Sequence, residues 1–137
     1  MTSLLEDKDQ IRELMANYCF YSDSGQAENY VNLFTEDCEL DLGPHGQYRG
    51  KPALLELQRQ KGGKSTPIRH HTTNIVIEIN GDAAHVKSYV LVLNLQNGTP
   101  AIIMSGHYFD RLTKQDGQWR FRRRAVKPDP VDDGAND

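Results

Sequence analysis

Few side chains in this sequence combine reactive chemistry with an informative position. They are Tyr18, Asp23, His70, His71, Asn74, His107 and Arg124. An imidazole titrates near neutrality and suits proton abstraction. A carboxylate beside it would fix its tautomer and favour the imidazolium that forms. Asp23 falls where the first helix must end, and a carboxylate there is disfavoured by the helix dipole. His70 and His71 open a long strand-like run. Neighbouring strand residues point to opposite faces, so one of the two faces inward. Strict alternation groups His71 with Ile75, Ile77 and Ile79, and groups His70 with Thr72, Asn74 and Glu78. A β-bulge within the run would exchange the two faces. In their plainest readings Tyr18 is a core tyrosine, Asp23 a solvated loop residue, Arg124 a surface cation, and His85 and His107 sheet residues.

Other chemistries find no support. No HxH or HExxH pattern occurs, so no metal site is expected. There is no glycine-rich phosphate loop, GxSxG elbow or nucleotide fingerprint, and no cofactor is expected. Cys19 and Cys38 form neither a CxxC pair nor a disulfide framework, and read as thiols of a reducing compartment.

The elements that must position these groups can be read along the chain. Its 137 residues suit one domain, expected over 1–127. Ser3-Leu4-Leu5-Glu6 forms a capping box. Behind it Ile11, Leu14, Met15 and Tyr18 recur at helical spacing, predicting a helix from about Leu4 to Tyr21 that Gly25 closes. A short helix is expected over about Ala27 to Phe34, then a turn at Thr35-Glu36-Asp37 and a strand from Cys38 to Leu42. Gly43 to Gly50 reads as loop, and Pro52 opens a third helix to about Gln60. Four strand-like runs follow, about Ile68–Ile79, Ala83–Gln96, Ala101–Thr113 and Gln118–Lys127. Asn80-Gly81-Asp82, Asn97-Gly98 and Asp116-Gly117 join them as hairpins. Helices followed by a hairpinned sheet define an α+β fold, in which a curved, mostly antiparallel sheet wraps a long helix around an internal pocket. Residues 128–137 are acidic, contain proline and glycine, and read as a disordered tail.

A formal net charge of −3 opposes nucleic-acid binding. The run Arg122-Arg123-Arg124 cannot form one patch on a strand. No signal-peptide pattern and no apolar run of spanning length are read, so a cytoplasmic location without membrane contact is expected. The outer sheet face, read as Val90, Val92, Ile102 and Met104 or their alternates, predicts self-association as a dimer or trimer.

Several segments resemble SnoaL-like members of the NTF2-like superfamily. They are Ile11 through Asp23, Leu33-Phe34-Thr35-Glu36-Asp37, Tyr48-Arg49-Gly50, Arg69 through Asn74, and Gly106 through Asp110 with Asp116 through Phe121. The nearest-looking branch is that of scytalone dehydratase and hexachlorocyclohexane dehydrochlorinase. This resemblance implies a conical fold and a cofactor-free elimination run by a His–Asp dyad, whose positions match His70 and Asp23. It implies a pocket tyrosine at Tyr18, further pocket residues at Tyr108 and Arg124, and His71 and Asn74 close by. In the ketosteroid isomerase branch the catalytic aspartate's position matches Leu42, with Asp41 on the opposite side of the strand. The expectation is therefore a lyase (dehydratase-like) or isomerase acting on a small hydrophobic or cyclic molecule. The alternatives are a non-catalytic ligand-binding domain and an assembly subunit like the small subunit of ring-hydroxylating dioxygenases.

Overall fold

The computed structural model describes residues 2–131. Helix α1 (Leu4–Asp23) starts at Ser3, whose hydroxyl accepts the Glu6 amide at 3.1 Å, as the capping box requires. Its apolar face buries Ile11, Leu14, Met15, Tyr18 and Cys19. Helix α2 (Ala27–Val31) is shorter than expected, because the chain turns into strand β1 (Phe34–Asp41). The turn expected at Thr35-Glu36-Asp37 is instead extended and irregular. There β1 runs parallel to β6, and its register slips between Phe34 and Glu39. The stretch read as loop before α3 holds a short 3₁₀ turn and an edge strand, β2 (Gln47–Arg49), paired antiparallel to β1. Helix α3 (Lys51–Gln60) has proline in its first turn, as expected.

The remaining chain is the meander β3 (Ile68–Asn80), β4 (Ala83–Asn94), β5 (Ala101–Gln115) and β6 (Gln118–Pro128). Asp116 and Gly117 both take positive φ, 52° and 78°, so the last hairpin closes through a primed turn that matches strand twist. The sheet order is β2-β1-β6-β5-β4-β3. Register shifts interrupt β3–β4 at Thr73/Val76, β4–β5 at Val92/Leu93 and β5–β6 at Arg111/Leu112. Each bulge bends its strand, and together they curl the sheet over α1. The result is an α+β fold with three helices packed on a curved mixed sheet.

The bulge in β3 decides which histidine faces inward. Asn74 takes φ 57°, in the left-handed region that asparagine tolerates better than most residues. The extra residue reverses the alternation, so Ile68, His70 and Thr72 share a face with Ile75, Ile77 and Ile79. His71, Thr73 and Asn74 are exposed.

Two other expectations change. On the outer sheet face it is the alternate that holds on β4, since Val90 and Val92 are buried, at 1% and 5% exposure, and Tyr89 faces outward, whereas Ile102 is exposed as read, at 68%. Of the segment read as a tail, Pro128 ends β6 and the Asp129 amide donates to the Ser105 carbonyl at 2.8 Å. Residues 132–137 lie outside the described residues. No described helix is long and apolar enough to cross a membrane.

The start of α1 is tied to the last hairpin through Asp7. Its carboxylate accepts from Thr2 Oγ1 (2.5 Å), Trp119 Nε1 (3.0 Å) and Lys114 Nζ (3.0 Å). The Thr2 hydroxyl, then the Trp119 indole and the Lys114 ammonium, hold its pKa down at about 2, against an ordinary 3.8. A depressed carboxylate stabilises the fold at pH values above its unfolded pKa, and that stability fades as pH falls from about 4 towards 2. Urea midpoints followed by fluorescence of Trp119, the single tryptophan, should fall across this window in the wild type. In Asp7→Asn they should be lower at neutral pH and flatter across it. At the bulge, Asn74→Val should lose about 1–3 kcal/mol in the same assay, since a β-branched residue is strained at positive φ. Asn74→Gly should stay within about 0.5 kcal/mol of the wild type.

Candidate active site

The end of α1 and the start of β3 meet through one carboxylate. Gly25 (φ 71°) lets the chain leave the helix in a left-handed step, and any Cβ there would lie 2.5 Å from the Lys64 amide nitrogen. The absence of a side chain therefore lets the α3–β3 connection cross close over the helix end. Thr66 then donates its amide to the Asp23 carbonyl at 2.9 Å, which places β3 beside the Asp23 side chain. Asp23 Oδ2 accepts the His70 main-chain N–H at 3.0 Å. Asp23 Oδ1 lies 2.6 Å from His70 Nδ1. Both carboxylate oxygens are thus committed to one residue. An ionised Asp23 places the ring proton on Nδ1 and leaves Nε2 as the basic nitrogen. Side-chain exposure is 11% for Asp23 and 22% for His70, so the acid is shielded and the imidazole reaches outward.

His70 opens on a cleft of about 490 Å³ between α1 and β3. Met15, Ala16, Cys19, Phe20 and Ile75 supply most of its apolar wall. Thr72 also lines it, 3.4 Å from Cys19 Sγ. Burial pushes the Cys19 thiol up from its usual range, the Thr72 hydroxyl opposing, which keeps it protonated and unreactive. The size and lining suit a small, largely apolar molecule. No group of three or more His, Cys, Asp or Glu suited to a metal ion occurs among the described residues.

Behind the cleft lies a second cluster. Arg124 is fully buried, its guanidinium carbon 3.6 Å from the Tyr108 ring centre, 4.2 Å from Tyr18 and 4.6 Å from Phe121. It meets Asp110 through two parallel bonds, Nε–Oδ1 at 2.9 Å and Nη2–Oδ2 at 3.1 Å. Burial alone would lower the guanidinium pKa, but the charge and hydrogen bonds of the Asp110 carboxylate outweigh it and raise it. Arg124 Nη1 has no protein partner. Burial raises the Tyr18 and Tyr108 pKa values, so both phenols stay protonated and can donate but not act as bases. The Tyr30 hydroxyl donates to the Tyr18 oxygen at 3.2 Å, which leaves the Tyr18 proton available.

Of the residues singled out from sequence, the structure brings Asp23, His70 and His71 to the cleft. It gathers Tyr18, Tyr108 and Arg124 into the buried cluster instead, and they do not line the cleft. Asn74 contributes a backbone bend and is exposed. His107 lies on the outer sheet face, 3.1 Å from Asp129. Sequence reasoning passed over Arg12, Arg69 and Phe20 of the cleft, because no motif or spacing marks the three as parts of one site. It also passed over Asp110, whose signal is alternation with Tyr108 and Leu112 on the inward face of β5, opposite Arg124.

The SnoaL-like domain family matches residues 3–125, and the chain belongs to it. It is 24% identical over 123 residues to gamma-hexachlorocyclohexane dehydrochlorinase of Sphingobium indicum, covering 88% of this chain and 79% of the relative. It is 23% identical over 146 residues to the anthranilate 1,2-dioxygenase small subunit of Burkholderia cepacia, covering 92% and 91%. Among solved structures, a candidate scytalone dehydratase of Novosphingobium aromaticivorans superposes with TM-score 0.80 at 30% identity, over 94% of this chain and 88% of that one. An NTF2-like protein with a cystatin-like fold from the same bacterium superposes with TM-score 0.86 at 25% identity, over 96% and 88%.

The buried ion pair should be costly to break. Asp110→Ala leaves the Arg124 charge alone in the core and should lose about 3–5 kcal/mol in urea unfolding. Replacing both with apolar residues, Asp110→Leu with Arg124→Met, should recover most of that loss.

Proposed function

We propose that this protein is a cofactor-independent lyase or isomerase in which His70 is the general base. The contact that carries this reading is Asp23 Oδ1 to His70 Nδ1 at 2.6 Å, at the edge of an apolar cleft. His70 Nε2 takes a proton from a substrate carbon. The electron pair of that C–H bond forms a new π bond, and a leaving group such as hydroxide or halide departs with the electrons of its own bond. In an isomerisation the proton instead returns at another carbon. Asp23 keeps the ring aligned and stabilises the imidazolium. An elimination is the kind of reaction that the dehydrochlorinase relative's name describes, there at hexachlorocyclohexane. Tyr18 and Arg124 lie behind the cleft without lining it, and Arg124 contributes a fixed positive charge there.

A second reading has its own observation. Val76, Tyr89, Ile103 and Phe109 are exposed large apolar residues of β3, β4 and β5, at 49%, 51%, 54% and 46%. Such a surface supports burial against another copy of this chain, as a dimer or trimer, or against a larger partner, the role suggested by the dioxygenase small subunit. The first use is compatible with catalysis. The second needs no base at the cleft and predicts that substitution of His70 is silent.

The test pairs chemistry with a substrate-free measurement. Gamma-hexachlorocyclohexane and a panel of small cyclic β-halo and β-hydroxy ketones are incubated with the protein in D₂O and followed by ¹H NMR. Elimination or deuterium incorporation by the wild type should fall about 10²–10⁴-fold in His70→Ala and in Asp23→Asn. The ¹⁵N spectrum of the His70 ring should show the Nδ1–H tautomer. Turnover that survives His70→Ala, or an Nε2–H tautomer, removes His70 as the base.

A further inference from the structure

The cleft that carries the base also carries charge which the proposed proton transfer does not use. Arg12 and Arg69 both line it. Arg59, Arg122, Arg123 and Arg124 each meet a carboxylate within 4 Å. Among the described residues, Arg12, Arg49, Arg69, Arg111 and Arg120 have no such partner, and of these five Arg12 and Arg69 line the cleft. The cleft's single carboxylate is Asp23, and both of its oxygens are taken by His70. Two arginines without a carboxylate partner therefore line an apolar cleft in a chain whose net charge is −3.

Arg69 is also prepared for binding. Its Nη1 donates to the Thr66 and Ile68 carbonyls, each at 2.8 Å. Those bonds hold the planar group in place and leave the Nε and Nη2 donors available. Arg12 stands on α1 at four-residue spacing from Ala16, which is followed at the same spacing by Phe20, and all three line the cleft. Phe20 is 69% exposed, unusual for a residue of its size, and offers a flat apolar surface beside the charge.

We propose that the cleft takes an apolar molecule bearing a carboxylate, with Arg12 and Arg69 gripping the carboxylate while Met15, Phe20 and Ile75 cover the apolar body. The proposal deepens the reading of the cleft as a catalytic pocket by naming its substrate class. The carboxylate is a handle and takes no part in bond making. Arginine suits that handle because its fork matches both carboxylate oxygens.

The probes are 2-naphthoate and its neutral isostere 2-naphthamide, titrated into ¹⁵N-labelled protein and followed by amide shifts. The carboxylate should bind about tenfold or more tightly than the amide, with shifts centred on Ala16, Phe20, Arg69 and His70, and should weaken as salt is added. The double variant Arg12→Gln/Arg69→Gln should bind the two probes equally, and its amide spectrum shows whether the fold is kept. Arg69→Lys, which keeps the charge and loses the fork, should retain part of the preference. The readout is binding and not turnover, so a failure of the general base leaves this result untouched. Equal binding by the wild type, binding of neither probe, or a preference that survives the double variant overturns the assignment.

Discussion

One carboxylate holds the end of α1 and the start of β3 in a single arrangement. Asp23 places one oxygen on the main-chain N–H of His70 and the other beside its ring nitrogen. That double contact is possible because β3 is the outermost strand of the sheet, so its outward N–H groups lack a neighbouring strand. The first contact sets the strand relative to the helix, and the second sets the ring relative to the strand. Position and tautomer are thereby determined together. Two charge-assisted hydrogen bonds also offset the unfavourable placement of an acid at a helix C-terminus.

Much of this arrangement is legible in the residues themselves. The capping box marks the start of α1, and the turn dipeptides mark the meander. A carboxylate at a helix end and a histidine opening a strand are visible as types in places. The phase of that strand is not visible. Alternation alone turns His70 away from Ile75 and Ile77, and only the extra residue at Asn74 brings them to one face. Asparagine permits such a bulge without demanding one, so local sequence leaves the choice to tertiary packing. Strand β1 shows the same limit. Thr35-Glu36-Asp37 has turn composition, yet parallel pairing with β6 draws the segment into the sheet. Long-range pairing partners of this kind carry no local signature.

The buried cluster shows why residue type predicts participation better than role. Tyr18 and Cys19 are consecutive on α1, yet Cys19 lines the cleft and Tyr18 faces the Arg124 cluster. A fully buried guanidinium is tolerable only because Asp110 meets it in two parallel bonds and three aromatic rings lie against it. The same desolvation keeps the neighbouring phenols neutral. The interior therefore contributes fixed donors and a fixed charge, whereas the group able to exchange a proton stands where ligands can reach it.

The edge position of β3 also explains the composition of the cleft. Arg69, His70, His71 and Thr72 all line it, although consecutive strand residues should divide between two faces. A central strand could not show all four to one ligand, because its neighbours separate the faces. An edge strand has no neighbour on its outer side, so a cleft can wrap around that edge and touch both faces. The wall built by β3 thus combines an anchored cation and an imidazole at adjacent positions, and α1 closes it with an apolar surface and a second cation. A pocket buried wholly inside the cone could hold the base, but it would leave Arg69 on the far side of the sheet. In the proposed reading, locating the chemistry at the edge lets one short segment supply both charge recognition and proton transfer.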